Sequence, residues 1–427
     1  MKVYLLPIAL ISLMCLSCEK NGGGDTLPGG EDIVEYGTLQ SRSAKRGVCF
    51  NFAQLPSYDF PLLGDAVSWY YDWSSNVPGA EVDGYLSEYG IDFCPMIWNG
   101  NYNPDNIRTY KSSHPEAGYI LAFNEPNLRD QANMTPAAAA EFWPDIVALA
   151  DEVGMKLISP AMNYGTLEGY SDPWKWMDEF LQQPGVSLDD IDGIAVHCYM
   201  NTLQALKDYI AGFKKYGKPI WLTEFCSTTG GTVSEVSQMN FMVEAINYLE
   251  SDDDVFRYAW FIPRGGPLQS INNELLTSRS PIELTDLGKV FVNMSTQDKD
   301  VAYGPGTVIP AEHYCAVSGA VYLRPVTDVS GILELFDLKE NTWVEYLADI
   351  PEAGVYTLEF RYRTSYATAM ALSADGSQQT EMVDLPDTDN GWATGKVEIE
   401  LPAGVRTIRL AGTDAWSICL NWLRLNK

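Results

Sequence analysis

The chain has 427 residues, more than one domain's worth and ample for a large core. With 57 Asp+Glu against 28 Lys+Arg it is strongly acidic, which argues against nucleic acid or an anionic membrane surface as a partner. Its 24 Tyr and 12 Trp supply flat apolar faces with polar tips, a combination suited to sugar rings.

At the N-terminus, MKVYLLPIALISLMCLSC has one Lys, an apolar run too short for a comfortable membrane span, and a cysteine behind Ser17. It reads as a secretory signal. The Leu-Ser-Cys ending resembles a bacterial lipoprotein signal. That resemblance implies removal of residues 1–17, lipid attachment at Cys18, and an outer-membrane lipoprotein held to the membrane only by its anchor. The side of the membrane it faces stays open, as does an ordinary cleaved signal with a chance cysteine. Residues 18–43 are Gly-rich and acidic and read as a flexible tether. Six further cysteines (Cys49, Cys94, Cys198, Cys226, Cys315, Cys419) lack the spacing of a zinc site or a disulfide scaffold and read as free thiols. Cys315 and Cys419, near the two ends of the last domain, are the one pair placed to bridge.

From 44 to 297, strand-length apolar runs recur eight times: Arg46–Phe52, Ala66–Trp73, Asp92–Trp98, Gly118–Pro126, Met155–Asn163, Ile191–Met200, Lys218–Cys226 and Val255–Arg264. Continuous rather than alternating hydrophobicity suits parallel strands covered on both faces. Helical stretches separate most of them. Thr135 followed by PAAAAEFWPDIVALADEVG has an N-cap, a Pro at the first helical position and a Gly stop, with Pro144 set to kink or split it. AQLPSYDFPLLGD, after the first strand, is a poor helix. The pattern predicts an α/β fold, a (β/α)8 TIM barrel. A doubly wound open sheet is the alternative, but the Gly-rich phosphate turn it calls for is missing from the sequence.

In such a barrel the C-terminal strand ends carry the chemistry. Glu125 ends the fourth run and Glu224 the seventh, on opposite sides of an eight-membered ring, so they can face each other across its mouth. Paired carboxylates are what glycoside hydrolysis requires, one protonating the leaving oxygen and one attacking the sugar or activating water. A solvated loop acid is the alternative for either one alone. The ordered set SWYYDW, PMIW, AFNEPN, AVHCY, IWLTEF and RYAWF, over residues 46–264, resembles glycoside hydrolase family 128, the clan A endo-β-1,3-glucanases. That resemblance implies a retaining mechanism with Glu125 as general acid/base and Glu224 as nucleophile. It also implies β-1,3-glucan as substrate, with no cofactor for catalysis. The same chemistry on another β-glycan, or a surface lipoprotein that only binds glycan, remain alternatives, and endo action is not separable from exo.

Around the pair, Asn124 is a candidate for the sugar 2-hydroxyl or for a turn before Pro126. His197 and Tyr199 share a face of the sixth strand, with Tyr199 able to donate to Glu224; a buried, mutually satisfied pair is the alternative. Trp260 is the candidate floor of the reacting sugar. Trp69, Tyr70, Trp73 and Trp98 are candidates for outer subsites. Alternation puts Trp69 and Tyr70 on opposite faces, and Tyr70 is preferred for substrate.

After a linker at 298–310 the period becomes two. In GVYTLEFRYR, Tyr356, Leu358, Phe360 and Tyr362 fall on one side, and GILELFDL, TWVEYLADI, GKVEIEL, RTIRLAG and ICLNWLRL follow the same habit. This predicts an antiparallel β-sandwich over 311–427. AEHY, NGWATGKVEIELPAG and LNWLRL resemble carbohydrate-binding modules of family 6. That resemblance implies Trp392 as a sugar-stacking residue and Glu312 as a ligand of structural Ca2+; a purely structural sandwich is the alternative. The whole is expected to be a monomer.

Overall fold

The computed structural model describes residues 40–427 apart from 77, 229, 266–268 and 378–379. The signal, Cys18 and most of the tether therefore lie outside the described residues, which belong to one compact unit.

Every predicted strand window of the first part contains a strand: β1 (Arg46–Cys49), β2 (Trp69–Tyr71), β3 (Asp92–Phe93), β4 (Tyr119–Leu121), β5 (Lys156–Ile158), β6 (Ile194–Cys198), β7 (Ile220–Phe225) and β8 (Val255–Trp260). The helices are α1 (Pro56–Leu63), α2 (Ala80–Tyr89), α3 (Pro104–Ser113), α4 (Pro136–Ala140), α5 (Trp143–Val153), α6 (Pro173–Phe180), α7 (Leu203–Phe213), α8 (Glu235–Ser251) and α9 (Asp286–Asn293). Thr135 caps α4 by accepting from Ala138 N, and the chain breaks before Pro144 into α4 and α5, as the proline requires. The connection judged a poor helix does form one, α1, because Pro56 occupies its first position, where no N–H is needed.

Six of these strands form one parallel sheet, β3-β2-β1-β8-β7-β6, while β4 and β5 pair separately. The ladder is not continuous around all eight. Isolated parallel bridges stand at the two joins, Met96–Leu121 at one and Ile158–Gly193 with Met162–Val196 at the other. Each join has a proline in the strand path, Pro95 and Pro160, which cannot donate to a ladder. Hydrogen bonds still cross: Leu121 N donates to Pro95 O, and beside Pro160 the Ser159 hydroxyl accepts from Ala195 N. Inside the strands a separate apolar cluster is built from Cys49, Trp69, Cys94, Leu121, Ile158 and Trp221, among others.

The second part contains β9 (Val308–Pro310), β10 (Ala316–Ser318), β11 (Tyr322–Pro325), β12 (Leu333–Leu338), β13 (Trp343–Ile350), β14 (Gly354–Thr364), β15 (Thr368–Ala374), β16 (Glu381–Leu385), β17 (Ala393–Leu401), β18 (Gly404–Gly412) and β19 (Ile418–Asn426). They make two antiparallel sheets, β10-β13-β18-β15-β16 and β11-β12-β19-β14-β17, with β9 added at β19. Tyr356, Leu358, Phe360 and Tyr362 all point into the core.

Two segments expected to be loose are built in. In 298–310, Tyr303 is buried, bridges to Ala348 and exchanges backbone bonds with Leu347 and Asp349, and β9 follows. At the end of the tether, Gln40 donates to His313 O, and Arg42 donates to the carbonyls of Gly64, Tyr89 and Gly90. The two parts are joined by Tyr314 donating to Asn247 and Tyr322 to Glu244, both acceptors on α8. All six cysteines among the described residues, Cys315 and Cys419 included, are buried free thiols.

Candidate active site

A cleft of about 580 Å3 opens where β2–β8 end, lined by Trp73, Trp98, Asn124, Gln131, Tyr199 and Phe261 together with both acids. Glu125 and Glu224 are buried to 5% exposure each. One oxygen of each and a ring nitrogen of His197 lie within 4.8 Å of one another. A slightly larger groove, about 620 Å3, runs along the sandwich past Asp375, Glu381, Glu398 and Glu400, but it brings no three of them into a common cluster. The smaller cleft has the chemistry.

Glu224 sits in a ring of donors. Its Oε1 accepts from Tyr71 OH at 2.8 Å and from Trp73 Nε1 at 2.7 Å, and its Oε2 accepts from Tyr199 OH. In each contact the carboxylate is the acceptor, which fits it to carry negative charge and to attack. Glu125 Oε1 accepts from Asn163 Nδ2 at 2.8 Å and stands 2.8 Å from His197 Nδ1. Asn163 is itself held through its carbonyl by the buried Asn127 amide at 2.6 Å.

His197 Nδ1 is also 3.3 Å from Glu224 Oε2, so one imidazole touches both acids. Burial opposes a charge on His197, but the Glu224 and Glu125 carboxylates outweigh it and raise its pKa above the ordinary value. Burial also opposes a charge on Glu125; the facing His197 and the Asn163 amide outweigh that and lower its pKa. The proton therefore belongs to the Glu125–His197 contact as a unit.

Backbone geometry delivers Glu125 to this place. A residue before proline is usually extended, but Glu125 turns at φ 44° into the left-handed region, uncommon for a residue with a Cβ. Its N–H remains bonded to Ala161 O and the chain leaves the strand path there.

Several predicted residues lie where the sequence put them. Asn124 lines the cleft, with its amide donating to Gln131 Oε1 and its Oδ1 buried without a partner. Trp98 and Tyr199 line it too, and His197 lies just beneath. Three do not. Tyr70 is core, its ring packed against Phe52 and Phe93 between strand and helices. Trp69 points inward but lies too deep, fully buried with its N–H on Lys45 O. Trp260 is fully buried on the outer side, donating to Asn273 O, and the adjacent Phe261 reaches the cleft instead. On β2 the sequence favours Tyr70 among the strand-end aromatics, whereas the one that reaches Glu224 is Tyr71. Period-two counting back from Trp73 would have found it, since 69, 71 and 73 share one face.

In the sandwich, Trp392 is half-buried, donates to Thr327 Oγ1 and has the Arg363 guanidinium 5.4 Å from its ring. Glu312 is buried with one carboxylate oxygen lacking any partner. Ca2+ takes six to eight oxygens, from carboxylates, backbone and amide carbonyls, and water. Among the described residues Glu312 belongs to no cluster of three or more acidic, His or Cys side chains, so a Ca2+ ion held by Glu312 would draw its other oxygens from backbone carbonyls, amides or water.

Two buried carboxylates spaced for one glycosidic bond, at the C-terminal ends of parallel strands, define a glycoside hydrolase. The comparisons agree. The chain belongs to the glycosyl hydrolase catalytic core family, whose model matches residues 47–291, and within it to glycoside hydrolase family 128. It is 38% identical to a subgroup II endo-β-1,3-glucanase of that family from Pseudomonas viridiflava, over 59% of this chain and 98% of that one, with a TM-score of 0.52. A second subgroup II enzyme, from Sorangium cellulosum, is 35% identical over 58% of this chain and 97% of that one, with a TM-score of 0.50. Among curated proteins, Alkali-sensitive linkage protein 1 of Schizosaccharomyces pombe is 28% identical over 264 residues, 59% of this chain; the chain spans 45% of that relative's length.

Proposed function

We propose that the chain is a retaining endo-β-1,3-glucanase built on a (β/α)8 barrel, exported and tethered by a lipid at Cys18. The carrying observation is the carboxylate spacing. One oxygen of Glu125 and one of Glu224 lie within 4.8 Å of each other, an approach that supports the close pair of a retaining enzyme, ~5–5.5 Å between carboxyl groups, over the ~6.5–9.5 Å of an inverting one. β-1,3-Glucan as substrate, and internal cutting, rest on the two family members named above. The cleft supports them with Trp73, Trp98 and Phe261 as apolar walls and Asn124 and Gln131 as hydroxyl partners.

Glu224 attacks the anomeric carbon, and its charge is consumed in the ester. The Glu125–His197 contact then loses the neighbouring negative charge that held its proton. Glu125 passes that proton to the departing oxygen. In the second step the same pair, now short of a proton, takes one from the attacking water, and release of Glu224 restores the start. Tyr71, Trp73 and Tyr199 keep the nucleophile in place through both steps.

Two substitutions separate the roles. Glu224→Gln is expected to abolish hydrolysis of every substrate. Glu125→Gln is expected to abolish laminarin hydrolysis yet leave a burst on an aryl β-glucoside whose leaving group needs no protonation. Product length over time from β-1,3-glucan reports internal or terminal cutting. Laminarin turnover at parental rate by Glu224→Gln would end this reading.

A further inference from the structure

Both rings of one aromatic pair on the sandwich stand outside its core. Tyr366 is 53% exposed and Trp416 48% exposed, and their centroids are 4.1 Å apart with planes 34° from parallel. Tyr366 belongs to the β14–β15 turn and Trp416 to the β18–β19 turn. Each turn crosses between the sheets, and because β14 pairs with β19 and β15 with β18, the two crossings lie side by side at one end. Single exposed aromatics are ordinary on a protein surface; two held together in water on separate turns are not accounted for by packing.

The turns are fixed by their own polar groups. Asp414 Oδ1 accepts from Thr368 Oγ1 and from Trp416 N, both at 2.8 Å, and Thr413 Oγ1 donates to Ala369 O. Next to Tyr366, Ser365 donates to Asn390 Oδ1 at 2.7 Å, which leaves the Asn390 amide group for an outside acceptor. The turns that carry the rings are thus pre-ordered, with the Asn390 side chain held by Ser365, the neighbour of Tyr366, and Asp414 two residues before Trp416. Trp392, the aromatic first expected to stack on sugar, is less suited: its N–H is spent on Thr327 and the Arg363 cation stands against its face.

We propose that Tyr366 and Trp416 form a glucan-binding platform, on which a pyranose ring of the β-1,3-glucan chain lays its C–H face while Asn390 and Asp414 take its hydroxyls. An aromatic face attracts polarised C–H groups, and a neutral polymer pays no electrostatic penalty against a chain with formal charge −29. The proposal rests on the glucanase reading and extends it: the platform holds insoluble polymer while the cleft cuts.

The test uses the full chain. Binding to insoluble β-1,3-glucan is measured by depletion in a Glu224→Gln background. Hydrolysis of a short soluble laminarioligosaccharide is measured without that background. Tyr366→Ala with Trp416→Ala is expected to weaken insoluble binding about ten-fold and leave kcat/KM on the short substrate unchanged. Tyr366→Phe with Trp416→Phe keeps the stack and is expected to bind within about two-fold of the parent. Trp392→Ala is expected to bind as the parent does. Parental binding by the double alanine variant, or loss of binding confined to Trp392→Ala, would overturn the platform while the glucanase reading stood. A parent that cleaves no β-1,3-glucan would refute that reading, and the ligand named here with it.

Discussion

Glu312 gives a prediction with a definite sign. It is fully enclosed, one oxygen has no partner, and burial pushes its carboxyl up to about 8 against the help of its own and Leu333's backbone N–H. The folded state thus binds a proton that the unfolded chain releases near 4.5. Its contribution is intact below 4.5 and is lost as pH climbs through about 8, at most about 5 kcal/mol at ~1.36 kcal/mol per pH unit. Glu312→Gln has nearly the same shape and cannot ionise. Urea unfolding midpoints of parent and variant, taken from pH 4.5 to 9 with a chelator present, should coincide at the acid end and diverge steadily, the variant becoming more stable by some kcal/mol. His313, lowered to about 4 by burial, acts in the opposite sense, its contribution falling away as pH drops below 6.5; it is common to both proteins and cancels in the difference. Parallel pH curves would refute the reasoning. So would a parental alkaline loss that vanishes when Ca2+ is added, because the carboxylate would then be a metal ligand.

His197→Asn removes the partner that raises the shared proton's affinity. The alkaline limb of kcat/KM should move from above the ordinary histidine range toward the carboxylate range, with kcat down about 10²-fold; an unmoved limb would remove His197 from the proton's path. Gly47→Ala would place a Cβ 2.6 Å from the Trp69 carbonyl, which the sheet cannot shift, and should cost about 1–3 kcal/mol in chemical unfolding. Arg46 donates to the carbonyls of Phe291, Met294 and Ser295 and pairs with buried Glu250. Arg46→Met leaves that carboxylate without its cation, held only by the Tyr258 and Ser43 hydroxyls, and should cost about 3–5 kcal/mol, read in the same assay.

The strands were legible because burial on both faces writes itself as unbroken apolar runs, and the proposed catalytic pair because polar residues close two of those runs. Side-chain direction was less legible. A run that is apolar on both faces does not say which face is inward, so unless a cleft residue such as Trp73 is taken as the reference, Tyr70 and Trp260 look no different from Tyr71 and Phe261. What separates them is whether the strand path puts a residue toward the axis or toward the helices, and that phase is fixed by the ladders, Val48 beside Tyr70 and Cys49 beside Tyr71. In the sandwich the two faces differ in polarity, and there the inward residues Tyr356 to Tyr362 could be read directly. His197 was recognised as a strand-six residue on the correct face, but its contact with both acids depends on how close opposite strands come, which no local pattern encodes.

Under the proposed mechanism, that contact also accounts for how Glu125 serves as an acid without a raised pKa. In an isolated pair the nucleophile's charge alone must hold the proton on the acid. Here it is held in a buried contact between Glu125 and an imidazole that also faces Glu224 at 3.3 Å. The charge on Glu224 therefore acts on the proton through His197 as well as directly. When that charge disappears into the covalent bond, both influences end together, and Glu125 changes from donor to acceptor without any side chain having to move. The arrangement ties the timing of proton transfer to nucleophilic attack. It requires His197 to be buried, and the imidazole is fully enclosed.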